Sequence, residues 1–537
     1  MFEFSTKAKQ LAIGLTAVGA ILWVVGFAMN GSSSHEADHG HDAHATEMHD
    51  DDHGAEAHDA HAEAGHDAHV EGAHDAHAEA GHDEHAEGAH DDHGHESHAE
   101  EAHDAHGAEA HDAHAEHEND YPGEAHAAMI ESSYESDRAE EAHADHGHES
   151  HAEEAHDAHG AEAHDAHAEH LHHQQQNRPW SALYVAAIFF LGLGLGQLFF
   201  LGIQYIAQAG WSAGLLRVME AQAFTIIIPL IVIALISFLG LAHVHHMFHW
   251  MVEGINIEGH ENYDEIIAGK RGFLNPTFFI IRVLVYIGGW VWAARMLRKN
   301  SLLSDSGDGV EMWKRNRKVG AIFTVFYAVT SSTSAWDLIM SIDTHWFSTL
   351  FGWYTFAGMF VSSFAATILV TLYLKSKGLL EWVNDNHIHD LGKFMFAFSV
   401  FWTYLWFSQF VLIWYANIPE EVTYYMQRWD QYKVPFFTML SLNFIFPVLA
   451  ILSRPAKRVP GTLVMAAVFV LVGHYMDHYV MIMPGTVGDQ YGFGLVELGP
   501  ILFFAGLFIY VMLSNLAKAP LLHKNHPMMV ESKHFQQ

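Results

Sequence analysis

Three ionisable residues stand together in an apolar run late in the chain: His474, Asp477 and His478, spaced i, i+3 and i+4. On a helix that spacing puts all three on one face. A histidine beside a carboxylate takes up and hands on protons near neutral pH. The same pair can exchange protons with the oxygens of a quinone headgroup. The plainer reading is a satisfied polar contact between helices.

A second constellation lies upstream. Thr330, Ser334, Asp337 and Ser341 follow i, i+4, i+7 and i+11, one helical stripe that leads on to Asp343 and His345. Hydroxyls leading to a carboxylate can hold a proton-carrying chain of water; small hydroxyl residues also simply let helices approach closely. Arg282, inside another apolar run, has no accessible neutral form and needs an anionic partner, for which Asp337 and Asp477 are the candidates. Glu220 opens a further run, and His243, His245, His246 and His249 close it. His245 and His249 have metal-binding i, i+4 spacing, but no carboxylate or second pair joins them, so a cluster contacting a partner or lining a site mouth is the preferred reading. His387, His389, Asp390 and Lys393 read as a solvated helix end. A b-type haem needs histidine pairs deep in facing helices, which the sequence does not offer.

The elements that position these residues are membrane spans. The net charge of -38 averages two unlike materials. Positions 30–177 hold 35 of the 48 histidines, 42 of the 64 acidic residues and one basic residue, Arg138. The remainder is nearly neutral and breaks into apolar runs of the length that roughly 30 Å of hydrocarbon selects. Ten spans are expected, at 11–28, 181–206, 221–241, 276–297, 319–340, 349–374, 391–415, 434–452, 461–483 and 498–516. The expected fold is therefore an all-α membrane bundle. It divides into a first helix (1–29), a His-rich acidic loop (30–177), a nine-helix core (178–517) and a C-terminal tail (518–537). The first helix reads as an anchor, because Ala28-Met29-Asn30 is a poor signal-peptide cleavage site.

Orientation follows from the basic residues, since Lys and Arg in short loops stay cytoplasmic. With a cytoplasmic N-terminus, 19 of the 26 fall inside, six outside, and Arg282 within a span. Both termini are expected to be cytoplasmic, and the His-rich loop periplasmic where the cell has an outer membrane.

That loop is repetitive. An eight-residue unit begins at His58, His66, His74, His82 and His90, and 92–117 recurs letter for letter at 145–170. With almost no aliphatic or aromatic side chains it cannot offset the entropy of ordering, so disorder is expected. Its imidazoles and carboxylates could bind divalent metal weakly, although a tolerated low-complexity expansion is the simpler account. The chain has no cysteine, which excludes disulfides, thiolate-held iron-sulfur clusters and covalently attached haem c within it.

The motifs NRPWSALY (177–184), SAWDLIMSID (334–343), HWFSTLFGWY (345–354), FWTYLWFSQF (401–410) and WYANIPEE (414–421) resemble those of the ActF family of membrane subunits in bacterial alternative complex III. The resemblance covers about 175–517 and the first span; the His-rich loop departs from it. Such subunits are of the NrfD or polysulfide-reductase type and carry no redox cofactor. The resemblance implies an inner-membrane subunit of a quinol:cytochrome c oxidoreductase that supports quinol oxidation or proton translocation. It implies as partners a related NrfD-like membrane subunit, a periplasmic iron-sulfur protein and multihaem cytochromes c, which hold the iron-sulfur clusters and haem c. Membrane lipid surrounds the chain, and nucleic acid has no place in this reading.

Two other readings compete. A pure anchor for the soluble redox subunits needs none of the buried ionisable groups. A divalent-metal transporter would use paired ligands at the bilayer midplane and an internal repeat; the midplane here is poor in ligands, and the His-rich segment lies outside it.

Overall fold

The computed structural model describes residues 2–41 and 153–536. The chain divides into two units, 1–48 with 155–537 and 49–154, and nearly all of the second lies outside the described residues. The expectation of a structureless loop falls mostly on 42–152, which likewise lies outside them. At its two flanks the chain is helical, in α1 (Thr6–His41) and α2 (Glu153–Ile206).

The protein is an all-helical, multi-pass integral membrane protein. Among the described residues nine helices are long and apolar enough to cross a membrane. They are α1, α2, the pair α3 (Leu216–Ala223) and α4 (Ile227–Leu241), α6 (Pro276–Leu303), α8 (Phe351–Ser376), α9 (Asp385–Ala416), the pair α11 (Lys433–Leu440) and α12 (Phe446–Ile451), α13 (Pro460–Val487) and α14 (Leu495–Ala517). A tenth long helix, α7 (Gly309–Leu338), occupies the fifth expected span. It is less apolar than the other nine because Lys314, Arg315, Arg317 and Lys318 load one end and the hydroxyl run the other. It nevertheless lies against α6 along its length: Asn316 Nδ2 donates to the Leu297 carbonyl, Trp290 Nε1 to Thr330 Oγ1 and Arg282 to Asp337. Short helices α5 (Glu265–Gly269), α10 (Pro419–Asp430) and α15 (Met529–Lys533) lie between or after the spans.

Local sequence fixes the helix ends. Asn275 caps α6, its side chain accepting from the Phe278 N–H, with Pro276 in the first turn. Asp308 accepts from the Val310 and Glu311 N–H groups at the start of α7. At the end of α9, Asn417 takes a left-handed conformation (φ 48°), and Pro419 then opens α10.

α2 is the most enclosed of these spans. Glycines let α8 come close to it: a Cβ on Gly196 would stand 2.9 Å from the Met359 carbonyl oxygen. α1 packs on α14, where a Cβ on Gly499 would meet the Trp23 backbone, and Trp23 Nε1 donates to the Pro179 carbonyl of α2 at 3.0 Å. Large apolar side chains such as Leu235, Phe238, Val325, Val329, Leu412 and Leu449 are exposed, as a lipid-facing surface requires. Below, the end carrying the N-terminus and the Lys/Arg clusters is the basic end, and the end where α1 leads to 42–152 is the loop end.

Candidate functional site

The site is built on α13, whose residues His474, Asp477 and His478 are essentially inaccessible to solvent. Helical spacing places the His474 ring beside the Asp477 carboxylate, Nδ1 to Oδ2 at 3.5 Å. Two aromatic donors from neighbouring helices hold that carboxylate: the Tyr354 hydroxyl of α8 donates to Oδ1, and Trp402 Nε1 of α9 donates to Oδ2 at 3.0 Å. His478 Nδ1 is 2.7 Å from the His474 carbonyl oxygen, which requires that nitrogen to carry a proton. The Nε2 atoms of both histidines are buried without a protein partner.

The helix facing His474 is irregular. Between α11 and α12 the backbone takes five residues of π-helix, Ser441–Ile445. The widened turn brings the Asn443 amide nitrogen to 3.4 Å from His474 Nδ1. A Cβ on Gly473 would strike the Asn443 side chain, so only glycine fits beneath the bulge. π-bulges of this kind concentrate at functional sites.

The second constellation is held by α6 and α7. Arg282 Nε and Nη2 donate to Asp337 Oδ2 and Oδ1 at 2.8 and 2.6 Å, and the Tyr286 hydroxyl donates to Oδ2 at 2.6 Å. The guanidinium stacks between Phe273 and Phe278, 4.0 and 4.1 Å from their ring centroids, and Nη2 also donates to the Phe273 carbonyl. Of the two partners considered for Arg282, the fold selects Asp337.

The expected stripe is shorter than its spacing suggests. Thr330, Ser334 and Asp337 are buried on one face of α7, but the helix ends at Leu338 and a tight 3-10 turn, Met340–Ile342, follows. Asp343 and His345 are therefore turned off the stripe. Asp343 accepts from Arg428 Nη2 at 2.6 Å. His345 sits at the surface with Nε2 2.6 Å from Asp264 Oδ2. Burial opposes charge on Asp264, but the hydrogen bond from His345 and that from the Ile267 N–H outweigh it and hold the carboxyl below its usual range. Thr330, Ser334 and Ser341 each donate to a carbonyl of their own segment, so their hydroxyls serve packing at least as directly as proton movement.

Glu220 lies at the basic end, buried, with Oε2 2.8 Å from Arg298 Nη1 and Oε1 3.4 Å from His523 Nε2. His523 belongs to the C-terminal segment, which folds over this end of the bundle. Ser532 Oγ donates to the Trp211 carbonyl, and Asn384 Nδ2 to the Phe535 carbonyl. His387, His389 and Asp390 are buried there, His387 against Ser532. For His387 the reading as a solvated helix end is overturned by this covering segment, which hydropathy cannot reveal; Lys393 stays half-exposed and pairs with Asp390 at 2.7 Å. His245 and His249 are not helical partners either, because α4 ends at Leu241 and His245 turns back, Nε2 to the Ile236 carbonyl at 2.9 Å. Among the described residues no group of three or more His, Asp or Glu side chains is placed to hold a metal ion.

Sequence reasoning missed a polar layer in the middle of the bundle. Thr367 of α8 stands 2.7 Å from Gln197 Oε1 of α2 and 2.8 Å from Gln222 Oε1 of α3; Gln222 Nε2 donates to the Leu193 and Ser363 carbonyls. On α8 the buried residues Tyr354, Thr355, Gly358, Ser362, Ser363, Thr367 and Thr371 recur at helical spacing. That polar spacing was legible in the run 354–371. At the loop end an apolar cavity of about 510 Å³ lies beside the Arg282 clamp, bordered by Lys270, Phe273, Trp336, Ser341, Trp346 and Phe347. Burial pushes the Lys270 ammonium below its usual value, against the opposing charge of Asp264.

No protein-family model matches this chain, and no curated protein does. What stands on its own structure is a polytopic helical membrane protein with buried ionisable groups near both ends of the bundle and a polar layer between them. That layer gives the arrangement its chemical meaning. Hydroxyl and amide groups within the hydrocarbon thickness carry no charge, but they can support proton transfer between ionisable groups.

Proposed function

We propose that this chain is a cofactor-free membrane subunit of a respiratory quinol:electron-acceptor oxidoreductase, of the ActF and NrfD-like type that its motifs resemble. In this reading it carries protons through the bundle. The observation that supports it is the polar stripe on α8. The stripe begins at Tyr354, which donates to Asp477, passes Gly358 beside His474, and reaches Thr367 with Gln197 and Gln222. On the same helix, α3, Gln222 lies two residues from Glu220 at the basic end, which turns the two side chains to different faces. Among the described residues, Gln197 Nε2, Thr371 Oγ1 and both histidine Nε2 atoms are buried without a protein hydrogen-bond partner. Atoms of that kind are ordinarily met by water, and water between such groups is what a proton path consists of. A passive anchor has no use for so many costly buried groups.

In the same reading the basic end faces the cytoplasm and the loop end the periplasm. There a related membrane subunit, an iron-sulfur protein and multihaem cytochromes c would take the electrons. The cavity beside Arg282 favours a second role, quinol binding, because it is apolar, aromatic-walled and of ligand size.

The test is to purify the tagged full chain from gently solubilised membranes and record haem spectra and quinol:cytochrome c reductase activity. Co-purifying haem c with activity supports the reading. A haem-free, solitary protein that binds zinc sinks it and revives the metal-transport alternative.

A further inference from the structure

A second, larger cavity serves none of the groups described above. It is an almost wholly apolar slot of about 630 Å³ between α1, α2, α8, α13 and α14. It runs from Leu471 and Tyr475, midway along α13, towards the basic end at Ala8, Tyr373 and Leu513. Leu11, Tyr373 and Val472 border it and are also exposed, so the slot opens sideways to the lipid.

The size of the slot limits what fills it. Along α14 it extends from Ile501 to Leu513, about 18 Å at the helical rise. The slot is walled by five helices and lined almost wholly by apolar side chains, which suits a thin apolar chain.

Its polar end is indicated by the rim. Lys377 places its ammonium 5.8 Å from the ring centroid of Tyr373, a residue of the slot wall. On the other side Lys7 and Lys9 flank Ala8, with Lys9 over the Phe4 ring at 5.5 Å. Exposed lysines on both sides of an apolar opening at a membrane surface suit an anionic phosphate headgroup.

We propose that this slot holds one anionic phospholipid from the leaflet at the basic end, an acyl chain between α8, α13 and α14 and the phosphate between Lys9 and Lys377. The assignment does not depend on the respiratory reading. One wall atom lets experiment separate this lipid from an isoprenoid quinone: the Tyr475 hydroxyl is buried in the wall and has no hydrogen-bond partner among the described residues. A quinone oxygen would use that hydroxyl. An acyl chain would not.

The full chain would be purified in detergent and its retained lipid counted by native mass spectrometry, with thermal shifts measured on adding phosphatidylglycerol or phosphatidylcholine. About one retained phosphatidylglycerol per chain is expected. Retention should fall several-fold in Ala505→Phe, which fills the slot, and in the surface pair Lys9→Gln with Lys377→Gln, and stay unchanged in Tyr475→Phe. The surface pair keeps the test decisive if Ala505→Phe fails to fold. Equal retention in wild type and the lysine pair overturns the proposal. So does equal stabilisation by both lipids, or retention of a quinone that is lost in Tyr475→Phe.

Discussion

Arg282 grips Asp337 through two parallel hydrogen bonds, Nε to Oδ2 at 2.8 Å and Nη2 to Oδ1 at 2.6 Å, with the carboxylate fully buried. The pair ties α6 to α7 at the level where α7 unwinds into its 3-10 turn. A buried charge that loses its partner costs about 3–5 kcal/mol. Arg282→Gln should therefore lower the thermal midpoint of the purified protein sharply. The double variant Arg282→Gln with Asp337→Asn should recover much of the loss, because it removes both charges. Arg282→Lys should behave more like the glutamine variant than like wild type, since a point ammonium cannot reproduce the fork. Thermal unfolding of all four proteins in one detergent decides it. A stable single variant would mean that the pair holds nothing together.

Asp477 is expected to matter for turnover rather than assembly. Both its oxygens accept from fixed donors, the Tyr354 hydroxyl and the Trp402 indole. Asp477→Asn keeps the shape but turns an N–H towards one of those donors and removes a proton acceptor. Turnover of the isolated complex should fall by at least tenfold with subunit composition unchanged, and Thr367→Val, further along the polar stripe, should lower it by less. Normal turnover in both variants would favour a passive anchor.

How far these groups could be read from the sequence depended on what each one needs. Apolar run length fixed the spans, because hydrocarbon thickness acts on each run by itself. Helical spacing likewise grouped His474, Asp477 and His478 correctly on one face of α13. Partners from other helices were not legible: nothing local ties Tyr354 and Trp402 to Asp477, or Thr367 to Gln197. Spacing alone also carried the hydroxyl stripe too far, because it continued through Ile339, where the backbone leaves the helix (φ -123°, ψ -59°). The π-turn at Ser441–Ile445 left no compositional mark.

That π-turn gives a sharper test of the site. Deleting Leu442 should remove the extra residue, restore an ordinary α-helical turn and rotate Asn443 away from His474. Asn443→Leu keeps the chain length and removes only the amide. If the bulge exists to position Asn443, both changes should alter turnover or inhibitor binding to a similar degree. A large effect of the deletion with none from Asn443→Leu would assign the bulge to packing against Gly473 instead.

Acid should loosen the C-terminal segment from the basic end. Burial, with His523 adding to it, pushes His526 from its ordinary value of 6.5 down to about 3. The docked segment therefore keeps His526 neutral, while a detached one would protonate it near pH 6.5. Docking is at full strength above that value and weakens steadily as pH falls towards 3. His523 Nε2, 3.4 Å from Glu220 Oε1, is a second tie between the segment and the bundle. The chain contains no cysteine, so a nitroxide placed at exposed Val530→Cys reports on this segment alone. Its mobility should rise between pH 7 and pH 4.5, and His526→Gln should flatten that response. A label that stays immobile across the range in the parent protein would show that His523 and Glu220 hold the segment without regard to His526.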